Sequence, residues 1–371
     1  MINISVNASK DYDVIMEQGI LKEAGFYIRK ALGMNALYGK EPEHKKKVCI
    51  VTDETVNELY GEKSHALWRS LESVGFDVYK YVFPGGEEFK TVSTVEKIMN
   101  HLTDNMFSRS DILIAFGGGI VGDVTGFTAA SFLRGIDYIQ IPTTLLAVVD
   151  SSVGGKTGVN LRAGKNLAGA FWQPRLVLFD SDVTETLSYD LKLDGIAEAI
   201  KAGIIAQPLI LDSIAHKINL DDPEFIMDLA AMAIEVKRDV VERDERDEGC
   251  RQLLNLGHTP AHAIEKCSNF KIRHGHAVAM GISIITRTAA NLGWTSQKDC
   301  DTIISVLKKF KFPLKCPYSA DELAKAALYD KKIRGDEITL VIPSAIGDCR
   351  LKSVCTDRLQ KYFALGMPVS K

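Results

Sequence analysis

Residues Asp111–Asp123 read DILIAFGGGIVGD: an apolar run of strand length, three glycines, and the start of an apolar helix. Glycines at such a junction let backbone N–H groups approach a phosphate at the helix N-terminus, where the dipole favours negative charge. The segment contains G-x-G-x-x-G from Gly117 to Gly122, and Asp137 follows 15 residues after Gly122. It lies deep in the first half of the chain rather than at an opening βα turn. Taken alone, the loop leaves two readings open: a dinucleotide-binding turn, or a tight turn where a helix packs on a sheet.

Outward from this loop the pattern repeats. VCIVTD (48–53), DVYKYVF (77–83), YIQIPTT (138–144) and LVLFD (176–180) read as further buried strands, and segments 55–75 and 91–106 carry helical spacing. Strands alternating with helices predict a parallel sheet covered on both faces. After about residue 186 the strand signal fades. LKLDGIAEAIKAGIIAQ (191–207), EFIMDLAAMAIEVKRDVVERDE (224–245), AVAMGISIITRTAANLG (277–293) and KDCDTIISVLKKF (298–310) read as helices, and only ITLVIPS (338–344) as a strand. We therefore expect an α/β, Rossmann-like dinucleotide-binding domain over 1–185 and a mostly α-helical metal- and substrate-binding domain over 186–371. Two domains also suit 371 residues, beyond the size at which one core usually keeps growing.

Bulk composition mostly excludes. A net charge of −3 gives no sign of nucleic-acid binding or of attraction to anionic membranes, so an anionic ligand needs a local cluster of cations. No apolar run approaches the roughly 20 residues of a membrane span, and MINISVNASKDYDV lacks a signal-peptide core. Seven scattered cysteines without a C-x-x-C pair favour free thiols, and a cytoplasmic location is expected.

The chemistry concentrates in RQLLNLGHTPAHAIEKCSNFKIRHGHAVAMG (251–281), which holds four of the eight histidines. His258 and His262, four residues apart, share a helix face, and His274 and His276 follow. This pattern points to a metal or proton-transfer site, against the alternative of buried, satisfied histidines with surface ones beside them. Two glycine turns add to it. Pro84–Lys90, PGGEEFK, ends a strand with a glycine turn carrying carboxylates and a lysine; in isolation it reads as a surface turn, with ribose hydroxyls as the alternative those carboxylates could bind. Asp150–Gly158, DSSVGGKTG, resembles the end of a phosphate-binding P-loop but lacks the first glycine at the required spacing. What remains there is Lys156, with Lys165 and Asn166 close behind.

Together these segments resemble the 3-dehydroquinate synthase family. The matches, in family order, are PGGEEFK, GGGIVGDVTGF, LRG, IPTTLLAVVDSSVGGKTGVN, GKNLAGAFWQP, GIAEAIK, DERDEGCRQLLNLGHTPAH, HGHAVAMG and DKK, over residues 53 to about 335. The block 117–173 is shared with other sugar phosphate cyclases, such as 2-deoxy-scyllo-inosose synthase, and glycerol dehydrogenases share the fold more distantly. The resemblance implies bound NAD and one divalent metal, zinc or cobalt, held by Glu198, His258 and His274. It implies a homodimer acting as a lyase of the shikimate route to chorismate and the aromatic amino acids. The substrate is a sugar-acid phosphate, 3-deoxy-D-arabino-heptulosonate 7-phosphate. Transient oxidation at C5 by NAD, phosphate elimination, re-reduction and an intramolecular aldol closure then give 3-dehydroquinate.

The residues carried over fall into groups. Asp53 and the turn Gly85, Gly86, Glu87, Glu88, Phe89 and Lys90 match cofactor positions. So do Gly119, Ile120, Val121, Gly122 and Asp123; Thr143 and Thr144; Lys156 and Lys165; and Val183, Thr184, Glu185 and Thr186. Lys201 and Asp150 match positions beside the metal and the substrate hydroxyls. Lys156, Asn166, Lys237, Asn255 and the Asp330-Lys331-Lys332 segment match the substrate pocket, with Lys331 among its cations. Arg251 is assigned to the substrate carboxylate, which Arg can grip bidentately. His262 is assigned to proton relay, and Arg134 matches a residue contributed across the dimer.

Four positions depart from the family pattern: Pro260 in GHTPAH, Asp53 where Asn is frequent, Asp247 where Glu is frequent, and His276 where the family has Glu. Two residues beyond His274, His276 is expected to orient a ligand or a neighbouring backbone group rather than to bind metal, and a glutamate there is expected to be tolerated. Three rivals stay open: a cyclase acting on glucose 6-phosphate, which needs no Arg251; a metal-dependent polyol dehydrogenase, which releases NADH; and a non-catalytic NAD-binding sensor.

Overall fold

The computed structural model describes residues 1–34, 45–216, 219–328, 333–334 and 336–367. Its contacts divide the chain into two compact units, Met1–Ser188 with Leu220–Glu245, and Tyr189–Asn219 with Arg246–Lys371. The helix-rich second half is thus not one block. It hands one helix back to the α/β unit, where a single boundary after residue 185 was expected.

The first unit is built on a seven-stranded sheet. Its strands are β1 (Ile2–Val6), β2 (Tyr12–Met16), β3 (Lys47–Asp53), β4 (Asp77–Phe83), β5 (Ile112–Gly117), β6 (Asp137–Pro142) and, after a separate hairpin of β7 (Lys156–Leu161) and β8 (Gly164–Phe171), β9 (Leu176–Phe179). The order across the sheet is β1-β2-β9-β6-β5-β3-β4. Only β1 and β2 pair antiparallel; every other neighbour is parallel. All six residues of β5 are buried, as a central parallel strand covered on both faces requires. Each such Ile, Leu or Phe removed from water stabilises the unit by about 1.5–3 kcal/mol.

Helices α1 (Ala24–Ala31), α2 (Glu54–Leu59), α3 (Gly61–Ser73), α4 (Val92–Asp104) and α5 (Gly119–Ser131) connect these strands. The chain runs from β3 outward to β4, then crosses back to β5 on the other side of β3. That reversal makes the carboxyl ends of β3 and β5 the switch point at which open α/β sheets bind ligands. Five strands follow the expected segments closely, whereas β1, β2, β7 and β8 had no clear signal. In β7 and β8, glycines and polar residues replace the β-branched run, and the hairpin exists because it lies on α5. Asn160 of β7 also donates its N–H to the Lys90 carbonyl at 2.9 Å.

The chain then leaves this unit through α6 (Tyr189–Ile205) and α7 (Pro208–His216), returns with α8 (Pro223–Arg243), and leaves again. Asp222 caps α8 through the N–H groups of Glu224 and Phe225, with Pro223 in the first turn. Its apolar face, Ile226, Ala230, Ile234 and Val241, is buried in the first unit, packing near β1 and the helical turn Ala147–Ser151. Glu242 and Glu245 at its far end hold Asn7 and Ser9 of the β1–β2 turn.

In the second unit, α6 and α10 (His274–Asn291) pack with α9 (His258–Cys267), α11 (Gln297–Lys309), α12 (Ala320–Ala327) and α13 (Leu359–Gly366). A small sheet of β10 (Ile333–Arg334), β11 (Glu337–Ala345) and β12 (Asp348–Cys355) lies against α6. Strand β12 went unread because its middle, Arg350–Ser353, is exposed on both faces and shows little apolar alternation. No helix of the described residues is long and apolar enough to cross a membrane.

Candidate functional site

Glu198 sits midway along α6, a helix buried on nearly every face, and its carboxylate is 2% exposed. His258 and His274 are the first residues of α9 and α10. Close approach of those two helices is allowed by Gly257, in the left-handed region at φ 77°, and by Gly281, where an added Cβ would lie 2.1 Å from the Gly257 carbonyl oxygen. One donor atom from each of Glu198, His258 and His274 lies within 4.8 Å of the others, and these three are the only such group among the described residues.

The two imidazoles are aimed. Both present Nε2 to the same oxygen, Glu198 Oε1, at 3.6 Å from His258 and 3.4 Å from His274. Their other nitrogens are occupied: His258 Nδ1 lies 3.2 Å from the Leu256 carbonyl, and His274 Nδ1 lies 3.5 Å from the Glu265 carboxylate. A carbonyl or carboxylate at Nδ1 fixes the tautomer that leaves Nε2 as a lone-pair donor, the usual support of a metal-bound histidine. Two imidazoles and one carboxylate suit a divalent ion such as zinc, with a position left for water or substrate. Burial disfavours a charged His274 ring, but its interactions with Glu198 and Glu265 outweigh that and raise its pKa to about 10.

Around this group, Lys201 pairs with Glu198 Oε2 one turn along α6. The ring of His262 lies edge-on to His258, centroids 5.5 Å apart, with the side chain exposed. Arg251 is 2% exposed in the short turn Cys250–Asn255, and Asn255 of that turn donates to the Gln252 carbonyl at 3.1 Å. His276 does not join the donor group. Its Nδ1 lies 3.3 Å from Asp194 and its Nε2 3.9 Å from Asp190, both on α6, while its ring packs edge-on against Phe312.

In the first unit many of the remaining candidates gather at the carboxyl ends of the strands. Gly118 opens α5 without a side-chain cap, leaving first-turn N–H groups of the helix without side-chain partners. The Thr143 N–H donates to the Gly117 carbonyl at 3.0 Å, tying the end of β6 to the glycine turn. Asp53 caps α2 by accepting from the Val56 N–H at 2.8 Å; burial raises its pKa against the lowering effect of these backbone bonds. An added Cβ on Gly85 would lie 3.8 Å from the Asp53 carboxyl carbon, and one on Gly86, at φ 123°, would strike the Glu88 carboxylate. Three carboxylates, Asp53, Glu87 and Glu88, thus border or belong to this turn.

Glu87 accepts from Asn160 Nδ2 at 2.8 Å and lies 3.8 Å from Lys165. Lys90 pairs with Asp123 at 2.5 Å; burial raises the Asp123 carboxyl and Lys90 opposes that rise. Val183 and Thr186 meet the Tyr60 hydroxyl beside α2, with Thr184 buried and Glu185 exposed in the same turn. Lys237 of α8 contacts the Asp150 carboxylate and carbonyl, both at 2.5 Å.

Three further candidates lie on or beside the β7–β8 hairpin and after α5. Lys156 is exposed on β7, Asn166 adopts φ 52° on β8 with its N–H on Asn160, and Arg134 is exposed at φ 67°. Asp330, Lys331 and Lys332 lie outside the described residues. The sequence reading missed Glu265, the Leu256 carbonyl, Asp194, Tyr60 and Asn160. Glu265 alone left a trace: seven residues past His258, it shares the inward face of α9.

The family models described as 3-dehydroquinate synthase N-terminal and C-terminal match residues 80–192 and 195–333. The chain is 38% identical over 362 residues to a 3-dehydroquinate synthase of Clostridium acetobutylicum, covering 95% of this chain and 96% of that protein. It is 40% identical over 347 residues to one of Clostridium botulinum, covering 93% and 95%. Among solved structures it resembles 2-deoxy-scyllo-inosose synthase complexed with carbaglucose-6-phosphate, NAD+ and Co2+, with TM-score 0.85 and 22% identity over 99% and 100% of the two chains. A 2-epi-5-epi-valiolone synthase of Streptomyces hygroscopicus with NAD+ and Zn2+ gives TM-score 0.82 at 23% identity over 98% of each chain.

Proposed function

The chain belongs to the 3-dehydroquinate synthase family, and we propose that it carries out that reaction, converting 3-deoxy-D-arabino-heptulosonate 7-phosphate to 3-dehydroquinate and phosphate. The convergence of two oriented Nε2 atoms on one Glu198 oxygen is the observation that carries this reading. When bound, NAD supplies a hydride acceptor that returns its hydride, and a zinc or cobalt ion supplies a Lewis acid.

Glu198, His258 and His274 hold the ion. Residues Gly119–Asp123 with Thr143 and Thr144 hold the dinucleotide phosphates, while Asp53 and Glu87 accept from ribose hydroxyls. Arg251, a buried guanidinium, binds the substrate carboxylate. Lys156, Asn166, Lys237, Asn255 and Lys331 bind its phosphate and hydroxyls, and Asp150, held by Lys237, accepts from a hydroxyl. Lys201 pairs with the Glu198 carboxylate and holds it in place, and the exposed ring of His262 carries protons to and from bound substrate. We assign the protein to the cytoplasm as a homodimer in which Arg134 serves the partner's site.

A cyclase acting on glucose 6-phosphate is the second reading, and buried Arg251 speaks against it because that substrate has no carboxylate. One assay separates the readings. The purified protein, NAD and zinc or cobalt are mixed with the heptulosonate phosphate or with glucose 6-phosphate, and phosphate and NADH are followed together. Phosphate release from the sugar acid without accumulating NADH is expected. Stoichiometric NADH, or turnover of glucose 6-phosphate alone, overturns the proposal.

A further inference from the structure

We propose that Asp194 and His276 act as a pair of positioning residues that aim His274 at the metal position, and that the pair makes this chain intolerant of glutamate at 276. The inference rests on the metal reading of Glu198, His258 and His274 and adds two residues to it.

The geometry begins with a helix that lacks its own cap. Arg273 precedes α10 and makes no side-chain cap. Asp194 of α6 supplies one from outside: its Oδ1 accepts from the Gly275 N–H at 3.0 Å and lies 3.3 Å from His276 Nδ1. Its Oδ2 lies 3.6 Å from the Arg273 guanidinium. A single carboxylate, 5% exposed, thus gathers three of the first four residues around the start of α10. A negative charge there also suits the helix dipole. The helices touch at Gly275, where an added Cβ would come within 2.3 Å of the Asp194 Cα.

His274 is the first residue of α10, and Glu198 lies one turn beyond Asp194 on α6. Consecutive turns of α6 therefore do two jobs: one docks the start of α10, and the next supplies the oxygen that His274 Nε2 faces. With Gly275 and His276 held on Asp194, the rotation of the first turn of α10 is fixed, and the direction of the His274 ring with it. His276 also packs on Phe312, so both edges of its ring are constrained.

Glutamate is the residue that the family resemblance leads one to expect at 276, and from sequence its introduction looked harmless. Against this structure it places a third carboxylate beside Asp194 and Asp190, where Arg273, half-exposed, pairs with Asp194 from the solvent side. Like charges at such distances repel, and a glutamate offers Asp194 no ring N–H in place of the one His276 presents. Residue 194 must then change together with residue 276.

The test uses the full chain and four variants: His276→Gln, His276→Glu, Asp194→Asn, and the double variant D194N/H276E. Zn2+ and Co2+ dissociation constants are measured by chelator competition, the visible spectrum of the Co2+ form is recorded, and metal-free thermal melts report folding. H276E is expected to raise the dissociation constants about tenfold to a hundredfold, the range typical when a support of a metal ligand is lost, and to alter the Co2+ spectrum. H276Q keeps a donor and stays within about threefold. The double variant recovers most of the affinity, because an asparagine still accepts from Gly275 and can donate to the new carboxylate. H276E binding metal like the unaltered protein, or a double variant no better than H276E, overturns the proposal. If the unaltered protein binds neither ion, the metal reading itself fails. Pair positioning is then read in metal-free protein by amide exchange at Gly275, and protection unchanged in D194N and H276E overturns it.

Discussion

In the metal-free protein the His274 imidazole, raised to about 10, is a cation at neutral pH, and an incoming ion must displace its proton. Linkage then fixes the size of the effect: below pH 10 the observed affinity should rise about tenfold per pH unit, or roughly a hundredfold (2.7 kcal/mol) from pH 7 to 9. An ordinary imidazole titrating near 6.5 would already be mostly neutral at pH 7 and would add less than about twofold. The sign for stability is opposite. A raised pKa stabilises the metal-free fold fully below about pH 6.5, and that contribution is lost as pH rises through about 10. Competition against a chelator of known pH dependence, with calorimetry in two buffers to count protons, measures both effects. Glu265→Gln removes one support of the cation and should flatten the upper part of the curve. A flat affinity between pH 7 and 9, or no proton released, would refute the reasoning.

Two further outcomes follow from buried charges. Lys90→Met strands Asp123, whose side chain is only 17% exposed, and should cost roughly 3 kcal/mol near pH 7. Urea unfolding should show the deficit shrinking toward pH 5 as the carboxyl protonates, and an equal deficit at both pH values would count against an isolated charge. Arg251→Ala should reduce turnover about tenfold to a hundredfold, the cost of a charge-assisted contact, without changing NAD affinity in a fluorescence titration. A parallel loss of NAD binding would remove Arg251 from the substrate carboxylate.

Much of this architecture could be read from sequence because parallel strands buried on both faces must be apolar throughout. β3, β5, β6 and β9 are such runs, whereas β4, expected to be buried, is an edge strand in which only Phe83 is buried. The elements that went unread owe their existence to neighbours. The β7–β8 hairpin is glycine-rich and rests on α5, and the middle of β12 is exposed on both faces. Helix α8 was legible as a helix, but nothing in its apolar stripe says which unit receives it. The candidate donors Glu198, His258 and His274 came from the family pattern, since histidine spacing alone pairs His258 with His262. Their supports could not be read from sequence: Asp194 is 82 residues from His276, and only tertiary packing reveals that α6 caps α10.

The same distinction between spacing and space governs the glycine loop after β5. The expectation of an acidic residue some 20 positions downstream assumes that the next strand in sequence receives the ribose. Here Asp137 is the nearest match downstream, yet it begins β6, opposite Ile112 at the start of β5. At about 3.3 Å per residue, it lies some 17 Å down the sheet from the glycines. It serves instead in ion pairs with Lys10 and Arg175. The strand on the other side of β5 is β3, which comes earlier in the chain. Its register places Val51 opposite Ala115, so two residues on Asp53 stands level with Gly117. The acid and the glycine turn are thus neighbours at the switch point although the acid precedes the turn by 64 residues. A strand order that reverses direction at β3 satisfies the geometric requirement of a dinucleotide site while violating its sequence spacing. That is why the loop read ambiguously alone, and why the carboxylate at 53 is the one to test against ribose.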